Sequence, residues 1–170
     1  MRSGLLLPFL AVAAGAGAQD LPPEGTFTVN FTAVDTAPAA PVNIGRDRAF
    51  GVYEAVMTTS NAEGSGLLHN LTGRCTGWYV VNAGAGTYEH HGHCNYADAD
   101  GDEVWERVDF EEQPLAPVRI ASGRWIGGSG KYEGLRGEFE IRVRPLRPGR
   151  EGVAQGIGTK QGTYRIPPSN

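Results

Sequence analysis

Three histidines, His90, His91 and His93, fall within four positions, with Glu89 beside them. On an extended chain successive side chains alternate between faces, so Glu89, His91 and His93 share one side while His90 points to the other. Two neutral imidazoles on one side can share a metal ion. A third ligand would have to be Glu89 or a residue brought in from elsewhere, such as His69, so the expected reading is a pair that packs, hydrogen-bonds and responds to pH. Downstream, Asp98, Asp100 and Asp102 occupy the first, third and fifth places of a calcium-loop pattern, with Asp109 at the twelfth. Glu103 stands where such a loop needs glycine, and Asp-Gly is itself a hairpin-turn signal. A plain acidic turn is therefore expected, with weak calcium binding as the alternative.

Glu54 is the single residue best suited to acid/base chemistry. It shares an alternation with Phe50, Val52 and Val56, and if that face is internal, burial raises the carboxyl's pKa and makes its proton available. The opposite set, Gly51, Tyr53, Ala55 and Met57, is also apolar enough to face inward. Trp125-Ile-Gly-Gly-Ser-Gly-Lys131 resembles a phosphate loop only superficially, because Tyr132 stands where Ser or Thr would hold magnesium. Its glycines suit a tight turn and close strand packing. No cofactor is expected.

The elements that position these residues read as strands. Phe27, Val29, Phe31 and Ala33 alternate with hydroxyl-bearing and amide residues, and Leu135, Gly137, Phe139, Ile141 and Val143 alternate with charged ones of both signs. Further strands are predicted near 48–58, 71–81, 88–97, 103–110, 117–126 and 153–166, separated by clusters such as Asn61 to Gly66 and Gly127 to Gly130. About eight antiparallel strands must close or fold into two sheets to hide their edges, which leaves a barrel or a sandwich. Ala37 to Pro41 reads as an extended connection.

The N-terminus reads as a signal peptide over 1–18: Arg2, an apolar run from Leu5 to Ala14, and the small-x-small site Ala16-Gly17-Ala18. That run is short of the roughly 20 residues needed to span a bilayer, so no membrane span is expected, and the protein is expected to be secreted or periplasmic. The predicted layout is a short extension over 19–25, one domain over 26–166 and a tail over 167–170. With 15 basic and 19 acidic residues, a formal net charge of −4 argues against a nucleic-acid partner. Two cysteines in an exported chain, Cys75 and Cys94, are expected to pair. If they face each other across an antiparallel hairpin, Tyr79 opposes His90 and Val81 opposes Tyr88. One face of that hairpin is then aromatic and stapled. The other, polar and titratable, carries Arg74, Thr76 and Trp78 against Asn95, His93 and His91.

The stretches Gly86 to Asp102 and Arg124 to Gly137, which contain His-His-Gly-His-Cys and Gly-Gly-Ser-Gly-Lys-Tyr, resemble small exported bacterial proteins of the allene oxide cyclase-like barrel group. Through the glycine motif they are more distantly similar to plant dirigent proteins. The resemblance, over about residues 46 to 140, implies a closed antiparallel eight-stranded β-barrel of the allene oxide cyclase and calycin kind with an apolar cavity, and it makes a homo-oligomer unsurprising. It assigns no catalytic residue. Within such a cavity Glu54 is the expected acid, and Trp78, His91, His93 and Arg74 the expected ligand contacts. Three roles follow: a module binding a small hydrophobic molecule, a cyclase or isomerase of a small hydrophobic intermediate, or a structural or interaction protein with a filled barrel.

Overall fold

The computed structural model describes residues 21–37 and 39–168; the expected signal peptide lies outside them. The described residues form nine strands, most of them built on apolar alternation: β1 (Glu24–Thr36), β2 (Val42–Gly45), β3 (Arg48–Asn61), β4 (Leu71–Asn82), β5 (Thr87–Ala97), β6 (Glu103–Pro114), β7 (Arg119–Gly128), β8 (Gly137–Leu146) and β9 (Val153–Arg165). The strands β3 to β9 form an antiparallel meander. β1 then closes it by pairing with β9 from Glu24–Arg165 to Thr36–Val153 and with β3 from Val29–Asn61 to Thr36–Glu54. The result is a closed eight-stranded antiparallel barrel, which removes the edges an open sheet would expose. β2 is an addition that sequence patterning did not reveal. It extends the edge beside the start of β3, with Val42 opposite Phe50, and its four residues are all exposed, so no burial pattern marks it.

The hairpin of β4 and β5 has the expected register: Cys75 opposite Cys94, Tyr79 opposite His90 and Val81 opposite Tyr88. Cys75 and Cys94 are joined by a disulfide.

Which face turns inward is decided by aromatic rings lying over glycines. Gly77 and Gly92 oppose each other on β4 and β5, and the Tyr53 ring of β3 lies across both. A methyl at Gly92 would stand 2.0 Å from Tyr53 Oη, and one at Gly77 2.6 Å from Tyr53 Cε1. Neither site tolerates a side chain while Tyr53 keeps its place. Phe139 covers Gly123 in the same way.

The two ends of the barrel differ. One is filled: Leu67 and Leu68 from the β3–β4 loop and Tyr132 and Leu135 from the β7–β8 loop are buried with Phe27, Trp125 and Phe139. Thr59 Oγ1 donates to the Leu68 carbonyl at 2.8 Å and Asn61 Nδ2 to the Leu67 carbonyl at 2.9 Å, so these two buried plug carbonyls are satisfied. The glycine-rich segment that resembled a phosphate loop is part of this plug. Its 3-10 turn, Gly130–Tyr132, docks on the acidic turn after β5. The other end is open, and the cavity lies there.

Candidate functional site

A cavity of about 320 Å³ occupies the open half of the barrel. Its walls are Ala33, Ala55, Met57, Val108, Ile141 and the disulfide, and its rim includes the exposed Leu146 and Pro148. Polar groups gather at two depths.

Near the mouth stand Asp35, Tyr53, Tyr88, His90 and Arg119. Asp35 continues the inward face of β1 that begins with Phe27, Val29, Phe31 and Ala33. Burial raises its carboxyl to about pH 6, against the opposing pull of Arg119. The Arg119 guanidinium lies 4.4 Å from the centre of the Tyr88 ring, and its Nε is buried without a partner. His90 stacks on Phe110 at 5.0 Å and meets the edge of Tyr53 at 4.3 Å. Burial, reinforced by His91 and Arg119, lowers its pKa to about 3, so the ring is neutral. Tyr88 Oη lies 2.5 Å from His90 Nδ1. With that hydroxyl donating to Nδ1, the ring proton sits on Nε2, which is buried without a partner. The mouth therefore holds one acid of raised pKa, the Arg119 Nε–H donor and the His90 Nε2 ring nitrogen, the last two without a partner among the described residues.

Deeper, Lys160 reaches in from β9 and is 1% exposed. Its Nζ donates to Tyr96 Oη at 2.6 Å and to Glu106 Oε1, while Tyr96 Oη also donates to Glu106 Oε1 at 2.9 Å. The ammonium sits among the rings of Phe31, Tyr96 and Phe139. Burial lowers its pKa, with Glu106 pulling the other way. Burying two charges costs on the order of several kcal/mol per ion before their attraction is counted. Glu106 Oε2 has no partner at all.

The residues expected from sequence lie elsewhere. Glu54 is on the outer face of β3, where Arg74 Nε and Nη2 donate to its two carboxylate oxygens at 2.9 and 3.0 Å. That hydrogen bond and the arginine charge lower its pKa, which corrects the expected interior, high-pKa acid: the other face of β3, with Tyr53, Ala55 and Met57, is the internal one. Arg74, Trp78, His91 and His93 likewise stand on the outer face of the β4–β5 hairpin rather than in the cavity. There Trp78 packs on His91 at 4.5 Å and on Phe50 at 6.0 Å. His91 Nδ1 is 2.7 Å from Asp109 and Nε2 is 3.1 Å from Glu89, and Arg107 also binds Asp109. Partial burial opposes the charged form of His91, but the two carboxylates outweigh it and raise its pKa. Asp98, Asp100 and Asp102 are engaged with the plug: Lys131 Nζ reaches Asp98 at 2.6 Å and Asp100 at 3.2 Å, and the Lys131 backbone N–H donates to Asp102.

Sequence reasoning thus missed Asp35, His90, Arg119, Lys160 and Glu106. Asp35 and His90 carried a usable signal, since each extends an alternation whose apolar members are internal. Lys160 carried none, because its neighbours on the inner face, Gly156, Gly158 and Gly162, look like no core at all.

No family model matches the chain, and no curated protein matches it. Among solved structures the chain is similar to a pterocarpan synthase dirigent protein, with a TM-score of 0.54 and 13% identity over 86% of this chain and 89% of that one. That likeness supports a dirigent-like barrel fold. It does not support the allene oxide cyclase-like side of the sequence resemblance.

Proposed function

We propose that this barrel binds a small hydrophobic molecule in its open half. The observation that carries the reading is the apolar cavity of about 320 Å³ whose mouth holds two buried nitrogens, Arg119 Nε and His90 Nε2, without partners among the described residues. Ligand sites are concave, mostly apolar and oriented by a few convergent polar groups. Native mass spectrometry with a panel of monocyclic phenols, alcohols and carbonyl compounds tests it: binding at one equivalent, lost on filling the cavity with Ala55→Phe, is the expected result, and no binding by any member overturns it.

A second reading, a cyclase or isomerase of a small hydrophobic intermediate, is favoured by Asp35. A carboxyl that is half-protonated at about pH 6 inside an apolar cavity is poised to transfer a proton. On this reading Asp35→Asn loses turnover while binding and folding remain. We also place the protein outside the cytoplasm, among exported barrels of the allene oxide cyclase-like kind. The disulfide supports export. The placement is tested by locating the disulfide-bonded protein in cell fractions. A filled, purely structural barrel is disfavoured by the cavity itself.

A further inference from the structure

Lys160 is one of two lysines in the chain, and it is placed where a surface charge has no use. Its Nζ has two oxygen partners, Tyr96 Oη and Glu106 Oε1, for three N–H groups, and its side chain lines the same cavity as Asp35. A buried ion pair is replaceable by apolar residues of similar volume without loss of stability, so packing alone gives no reason for this one. The trio is instead the set an amine nucleophile needs: an amine in apolar surroundings, a carboxylate touching it to accept its proton, and a hydroxyl to relay one.

We propose that Lys160 forms an imine with the carbonyl carbon of an apolar aldehyde or ketone held in the barrel. The inference rests on the cavity-binding reading and names the ligand class for it. Glu106 takes a proton from the Lys160 ammonium, and the freed nitrogen adds its electron pair to the carbonyl carbon. A proton then passes from nitrogen to the new alkoxide through Tyr96 Oη. The carbinolamine hydroxyl leaves as water with the proton held by Glu106, and the protonated C=N that remains pairs with the Glu106 carboxylate. One water is released, and nothing is oxidised or reduced. Burial, which lowers the pKa of Lys160, favours the free amine. Lys131 is the internal control, because its ion pairs with Asp98 and Asp100 hold it charged despite partial burial.

The test is trapping by cyanoborohydride with cinnamaldehyde on the full chain, read by intact mass and peptide mapping. Cinnamyl alcohol serves as a non-carbonyl probe of the cavity by native mass spectrometry. Besides the α-amine, whose adduct peptide mapping separates, one lysine adduct is expected, on Lys160, at least about ten-fold over Lys131, since each pKa unit between two amines is ten-fold in free base. The adduct should persist in Lys131→Arg and vanish in the double variant Lys160→Met/Glu106→Leu, which leaves no unpaired charge and should still bind the alcohol. Alcohol binding without a Lys160 adduct overturns the imine and leaves the cavity reading standing. No Lys160 adduct together with no binding by any member of the panel overturns both readings.

Discussion

The two faces of the β4–β5 hairpin hold neighbouring histidines in opposite states. His90 points into the barrel, between Tyr53 and Phe110, and burial keeps it neutral; His91, one residue on, points out between Glu89 and Asp109 and is held toward its charged form. The same division runs around the barrel. Lys160 is inside and Lys131 outside, Asp35 inside and Glu54 outside; the inner members line the cavity, Lys160 in a fully buried ion pair with Glu106, while the outer ones sit in ion pairs nearer to water. What separates them is access to water. A solvated pair gains little from its partner, whereas a buried group is governed by desolvation and by the few partners within reach.

The largest test of this contrast is the lysine pair. Lys160→Met should destabilise the protein by about 3–5 kcal/mol because it strands Glu106 in the core, and adding Glu106→Leu should recover most of that. Lys131→Met should cost less, about 1–2 kcal/mol, because Asp98 is mostly buried but keeps its donors from Tyr132 and the backbone of Asp100 and Asp102. Urea midpoints of the four proteins decide it, and equal losses for the two lysines would show that burial does not set the cost of stranding their partners. Next comes the fit of Tyr53 over the hairpin. Gly92→Ala places a methyl 2.0 Å from Tyr53 Oη and should cost about 2–3 kcal/mol, with loss of the near-ultraviolet tyrosine signal as Tyr53 is displaced.

Asp35 and Glu54 respond to pH in opposite senses. The carboxyl of Asp35 is raised from 3.8 to about 6, so its contribution is fully present below pH 3.8 and is lost as pH rises through about 6. At neutral pH the native protein bears that cost, and Asp35→Asn should be more stable by about 2 kcal/mol, with no gain at pH 3.5. Glu54→Gln, by contrast, should leave ligand binding unchanged across the same range, since its carboxylate faces solvent.

The smallest effect is expected from the histidines. His90, lowered from 6.5 to about 3, contributes stability above pH 6.5 that is lost as pH falls toward 3; His91, raised, contributes stability below pH 6.5 that is lost as pH rises through its folded value. In a histidine-resolved NMR titration His90 should stay neutral to about pH 4 while His91 titrates above 6.5. Titration of both near 6.5 would show that the hairpin faces are not electrostatically distinct.

Much of this molecule is legible in the chain. The strand positions, the Cys75–Cys94 staple and the register it imposes follow from alternation and cysteine count, because a period of two and a cross-strand bond are local constraints. Alternation also separates each strand into two faces, and on β1 and β8 it shows plainly which is internal. On β3 both faces are apolar enough to face inward, and on the β4–β5 hairpin the pattern separates an aromatic, stapled face from a polar one that still carries Trp78, so neither is marked as internal by alternation alone. Tertiary structure decided those faces: Tyr53 can cross the hairpin only where Gly77 and Gly92 leave room, which turns Glu54, Trp78 and His91 outward. It likewise decided that Lys160 meets Tyr96 and Glu106: those two are neighbours on the paired strands β5 and β6, but Lys160 comes from β9, 54 residues beyond Glu106, and only the closure of the barrel by β1 brings β9 across from them.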